Sequence, residues 1–275
     1  MNSKRFSVFD PIKYACTMLY ERFWEIARAL MLFVAPWVVF GVMGLLINGQ
    51  EQFWAQAVGV GSIVVLIMLF VWPAWFAAAG TQVALDIYDG NSASRQKAVS
   101  TVGYAPSVLG AFFIMGFVYW ILAVTIAVAI SIKFNMGLLV PLSIIAFLLM
   151  MWLHIRVSFS TFCIVDKGLP AMRSLRCSYQ LTRDRFWQLF MVDVLIILLC
   201  LFLFGLLGAC GVIVHVVLSY LLAALFGAAG LSIALLIMNV YSFLIGVVYY
   251  CALYMLLWLA YSYMYRLWEE HSALE

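Results

Sequence analysis

The stretch RCSYQLTRDRFWQLFMVDVLIILLCLFLFGLLGACGVI, residues 176–213, changes character once, at Phe186 and Trp187. Before that point it carries Arg176, Arg183 and Arg185; after it, Asp193 is the sole charged residue in an apolar run long enough to cross a bilayer. An amphipathic basic segment leading into a hydrophobic span predicts a helix at the membrane interface followed by a transmembrane helix.

The same change recurs along the chain. Fourteen of its fifteen Lys and Arg residues lie in segments separated by long apolar runs, and only Lys133 falls on the opposite side. The positive-inside rule then places both termini in the cytoplasm. The 275 residues are 67% hydrophobic and 10% charged, far from a soluble domain. We read an all-α polytopic membrane protein with spans near 30–47, 58–80, 108–131, 138–157, 189–213 and 235–262. The loop at 48–57 is polar, lacks positive charge and faces outward. The polar N-terminus, with Pro11, predicts a first span that serves as its own insertion signal.

An internal repeat organises these spans. Glu21-Arg22-Phe23-Trp24 is echoed by Asp184-Arg185-Phe186-Trp187, and Tyr104 holds the comparable place before span three. Trp24, Tyr104 and Trp187 stand 80 and 83 residues apart and read as interfacial anchors. The chain becomes one integral membrane domain of three units, approximately 10–89, 90–167 and 168–268. Each is an interfacial amphipathic helix plus a transmembrane hairpin. The last unit carries an excess of 16 to 18 residues, which predicts a surface or re-entrant helix around 216–230. Pro11 and Pro170 open the first and third interfacial helices, with Asp10 as cap of the first; Asn91, Ser92 and Ser94 cap the second. In the third, Met172, Leu175 and Tyr179 form the apolar stripe, and Arg173, Arg176, Gln180 and Arg183 the polar one.

The run Arg156-Val-Ser-Phe-Ser-Thr-Phe-Cys-Ile-Val-Asp166-Lys167-Gly168 continues through Pro170-Ala-Met-Arg173-Ser174 to Ser178-Tyr-Gln-Leu-Thr182 and Trp187. It resembles the loop between spans four and five of the YciC-like bacterial inner-membrane proteins. Those are similar to the membrane domain attached to some glycerophosphodiester phosphodiesterases. The resemblance covers roughly 30 residues and implies a six-span fold in the bacterial inner membrane. It does not carry the phosphodiesterase activity, because no such catalytic domain is present.

Three sets of residues are candidates for function. Arg173, Arg176, Arg183 and Arg185 form a basic collar for anionic headgroups or a partner protein, against the plainer reading of topology enforcement. Asp193 is the single acid expected inside a span; with Arg156, and His154 nearby, it forms a structural clamp or lines a transport route. Pro36, Pro73 and Pro141 break or bend spans, and Gly205, Gly208, Gly211 and the Gly227–Gly230 run suggest close helix approach. His215 reads as a lone interfacial histidine, and Cys16, Cys163, Cys177, Cys200, Cys210 and Cys251 as small apolar residues without a C-x-x-C pair. No metal, cofactor or enzyme motif stands in the sequence, and Asp89-Gly90 lacks the further acids of a metal-dependent headgroup transferase. The basic residues adjoin membrane spans, which speaks against nucleic acid as a partner. The leading function is a non-enzymatic membrane scaffold or regulator contacting lipid or a protein; the alternative is a transporter or flippase-like carrier.

Overall fold

A computed structural model describes residues 7–31, 71–131 and 136–272, and among them every regular element is helical. The first span, the outward loop, most of the second span, Pro36 and Lys133 lie outside the described residues. Helix α1 (Phe9–Glu21) breaks at Arg22, and the chain is helical again over 23–31. There follow α2 (Trp72–Tyr88), α3 (Arg95–Ser100), a 3-10 turn (Thr101–Tyr104), α4 (Ala105–Ser131), α5 (Met136–Val157), α6 (Ser160–Lys167), α7 (Ala171–Thr182), α8 (Phe186–Phe226) and α9 (Ala228–Ser272). Four helical stretches among the described residues are long and apolar enough to cross a membrane: Arg95–Ile121, Ile144–Lys167, Phe186–Phe226 and Ile233–Glu270.

Packing divides the chain into two compact units. One holds the described residues up to 31 together with Val192–Ala260. In it, α8 and α9 form an antiparallel hairpin: Phe204 packs on Tyr249, with ring centroids 4.7 Å apart, and the Tyr241 hydroxyl donates to the Leu207 carbonyl at 3.3 Å. The expected surface helix at 216–230 is absent, because α8 continues through those residues and the chain reverses at Gly227. The run offers no proline or charge to stop a helix, so its excess length extends the two hairpin helices. Gly227 ends α8 because its φ of 60° is a left-handed conformation that costs a glycine nothing. Close approach falls on one glycine of the triplet: a Cβ at Gly211 would collide with the Tyr241 ring, whereas Gly205 and Gly208 face open space.

The other unit holds the described residues from 71 to Met191, with the end of α9 from Tyr261. Its centre is α2, which packs on α4, α6 and α3. Ala74, Ala78, Ala79 and Ala84 are buried there, letting neighbouring backbones come close. Pro73 sits in the first turn of α2, where its missing N–H is no loss, and Pro141 is accommodated within a continuous α5. Helix α2 stops in a Schellman turn: Gly90, at φ 76°, donates to the Ile87 carbonyl and Asn91 donates to the Asp86 carbonyl. Gly168, at φ 63°, ends α6 in the same left-handed way and donates to the Ile164 carbonyl at 2.9 Å. Outward faces of α4, α5 and α8 are apolar, with Phe113, Trp120, Phe147, Phe202 and Ile213 each more than half exposed. Such surface is stable against lipid and not against water.

Two local expectations are corrected. Helix α1 begins one residue before Asp10; the Ser7 hydroxyl accepts from the Phe9 N–H, and Asp10 stands in the first turn, where its charge suits the helix dipole. Helix α7 does not bury the Met172–Leu175–Tyr179 stripe. It buries Ser174, Ser178 and Thr182, while Met172 and Tyr179 are exposed. Small hydroxyls let α7 lie close to its neighbours: a Cβ on Gly110 of α4 would meet the Ala171 Cβ at 3.2 Å.

Candidate functional site

Three chain segments distant in sequence meet at the charged end of the second unit. The Schellman turn after α2 supplies Asp89, the end of α6 supplies Asp166 and Lys167, and the last turns of α9 supply Tyr265, Arg266 and Glu269. Arg266 forks onto Asp89, its Nε donating at 3.2 Å and its second terminal nitrogen at 2.8 Å. The other terminal nitrogen reaches Asp166 at 3.0 Å and Glu269 at 3.2 Å. Lys167 pairs with Glu269 at 2.9 Å, and the Tyr265 hydroxyl donates to Asp166 at 3.0 Å. A planar guanidinium with five donors suits this junction, since it can bridge three carboxylates at fixed angles. Beneath it, Phe159 and Phe162 stack against Tyr265, and Trp268 packs edge-on to Phe159.

A second polar anchor lies on α2. Asp86, almost wholly buried, accepts from Lys97 at 3.1 Å and from Gln82 at 3.2 Å through the same oxygen. Neither cluster was foreseen from the sequence. The available signal was spacing: Asp89, Lys167 and Trp268 stand at the ends of the three repeat units, and helix ends at one depth can meet.

The residues singled out from sequence fare differently. Arg156 is boxed by the rings of Trp152, Tyr179 and Phe186, with its guanidinium carbon 5.2 to 5.7 Å from their centroids, and it donates to the Thr182 carbonyl. It staples the end of α5 to the end of α7. Asp193 is buried on α8 and belongs to the first unit. Of the basic collar, Arg173, Arg176 and Arg183 are exposed and make no ion pair among the described residues. Arg185 lies over the Trp268 ring at 4.9 Å and is half-buried. Trp24 and Trp187 are strongly exposed, each with its preceding phenylalanine edge-on at 5.3 Å. Tyr104 is half-buried in the 3-10 turn. The His215 ring is 3.5 Å from the Ser219 hydroxyl one turn along α8.

Ser178 organises the junction of α5, α6 and α7. Its hydroxyl donates to the Arg156 carbonyl at 2.8 Å and accepts from the Phe159 N–H at 3.1 Å, so it satisfies the backbone where α5 ends and α6 begins. This leaves α7 held by its hydroxyl face with its arginines outward. Comparisons with protein-family models, curated proteins and solved structures return no match to the chain.

Proposed function

We propose that the chain is a six-span, non-enzymatic protein of the bacterial inner membrane, a scaffold or regulator whose charged end binds anionic lipid through α7. One observation carries the reading. In the same unit Lys97, Lys167 and Arg266 are each paired with a carboxylate, whereas Arg173, Arg176 and Arg183 are exposed without one among the described residues. Met172 and Tyr179 are exposed on the same helix, so it offers apolar and cationic groups together, as helices at a lipid interface do. Each basic residue near an anionic surface contributes about 1 kcal/mol. Replacing Arg173 and Arg176 by alanine should therefore weaken retention of anionic lipid by about 30-fold. Native mass spectrometry of protein released from phosphatidylglycerol nanodiscs measures this. Equal lipid retention by variant and parent, with both folded, would overturn the proposal.

The carrier reading rests on Asp193, a carboxylate buried in an otherwise apolar helix. It requires Asp193→Asn to abolish flux in proteoliposomes while leaving lipid retention intact.

A further inference from the structure

Two of the six cysteines are brought together by folding. Cys163 on α6 and Cys177 on α7 have sulfurs 2.7 Å apart, and the helices that carry them pack directly against each other. A disulfide needs about 2.05 Å between sulfurs, so only a small side-chain adjustment separates the pair from a bond. Among the described residues no other cysteine has a sulfur partner.

The two thiols are unequal. Cys163 is fully buried, whereas Cys177 is half-exposed and within reach of a small molecule. The hydrogen bond from Cys163 holds the Cys177 thiol well below its ordinary value, at about 7. Lys167 acts in the same direction; burial, Glu269 and Asp166 oppose it. Arg156, on the adjoining α5, is engaged with rings and the Thr182 carbonyl. An accessible thiolate beside a buried second thiol is the arrangement of an attacking and a resolving cysteine. Both helices are held rigidly at this point, α7 by the hydroxyls of Ser174 and Ser178 and α6 by the Gly168 cap.

The structure assigns Cys163 and Cys177 as a thiol–disulfide exchange site whose oxidant is a low-molecular-weight disulfide. The Cys177 thiolate attacks one sulfur of that disulfide, forming a mixed disulfide and expelling one thiolate. Cys163 gives up its proton and attacks the Cys177 sulfur, closing the intramolecular bond and expelling the second thiolate. Across both steps the protein loses two hydrogens and the small disulfide gains them, as two thiols. The bond ties α6 to α7 across the Gly168 turn.

Glutathione disulfide is a suitable probe, applied to the reduced full chain in nanodiscs. After acid quenching and denaturation, maleimide-polyethylene glycol should mark four thiols where the reduced protein shows six. Non-reducing peptide mapping should find the 163–177 cross-link, lighter than its two peptides by two hydrogens. Cys163→Ala should stop at a stable glutathione adduct on Cys177, and Cys177→Ala should leave its remaining thiols free. The parent's peptide map decides the matter even where a variant folds poorly. Six free thiols after treatment, an adduct on Cys177 without the cross-link, or a link to any other cysteine would each overturn the assignment.

Discussion

Replacing Arg266 by glutamine tests whether the junction of α2, α6 and α9 is held by one guanidinium. Its pair with Asp89 is geometrically good, but the Asp89 side chain is 38% exposed, so water screens it to about 0.5 kcal/mol. The contacts to Asp166 and Glu269, 18% and 28% exposed, are charge-assisted bonds worth about 1 kcal/mol each. Removing the cation also leaves three carboxylates facing one another with Lys167 as their described counter-charge, which adds roughly 0.5 kcal/mol. Arg266→Gln should therefore cost about 3 kcal/mol. Arg266→Lys keeps the charge without the fork and should cost about half as much. Adding Asp166→Asn to Arg266→Gln should recover about 1 kcal/mol, because one unpaired carboxylate disappears. Reversible unfolding in mixed micelles at increasing dodecyl sulfate fraction gives these differences, followed by tryptophan fluorescence. The reasoning fails if Arg266→Gln lies within 0.5 kcal/mol of the parent, or if glutamine and lysine cost the same.

Other consequences follow from particular contacts. Gly211→Ala should destabilise the α8–α9 hairpin by about 2 kcal/mol, since the Tyr241 ring must move, while Gly208→Ala should be neutral or stabilising; thermal unfolding of the pair distinguishes them. Ser178→Ala removes a partner from two buried backbone groups and should cost about 3 kcal/mol, with faster amide exchange at Phe159. Alkylation of Cys177 by iodoacetamide should rise with pH and be half-maximal near about 7, because the lowered value keeps the thiolate present above it. Cys16, whose thiol burial pushes up, should still react slowly there, and mass spectrometry of labelled peptides reads both sites.

The basic collar shows how sequence and structure divide the information. Alternation of charge and the DRFW step locate α7 and the start of α8 to within a residue or two, since both follow from neighbouring residues. The buried face of α7 was misread because hydrophobicity was used to choose it. Close packing with α4, α5 and α6 favours small side chains, and Ser174, Ser178 and Thr182 satisfy their own hydroxyls on nearby carbonyls.

Membrane class, the all-helical fold and the positions of the long apolar helices were legible in the sequence by itself. Lipid imposes a length and a hydropathy on each helix separately, whatever its neighbours are. Which polar groups meet was decided by tertiary structure alone. Arg266 and Asp89 are separated by 177 residues, and Cys163 and Cys177 by 14, with no spacing rule to link either pair. Those partnerships arise where helix ends come to the same depth and left-handed turns at Gly90 and Gly168 aim the side chains inward. A charge or thiol in a one-dimensional sequence has many possible partners, and only the packing of α2, α6, α7 and α9 selects among them.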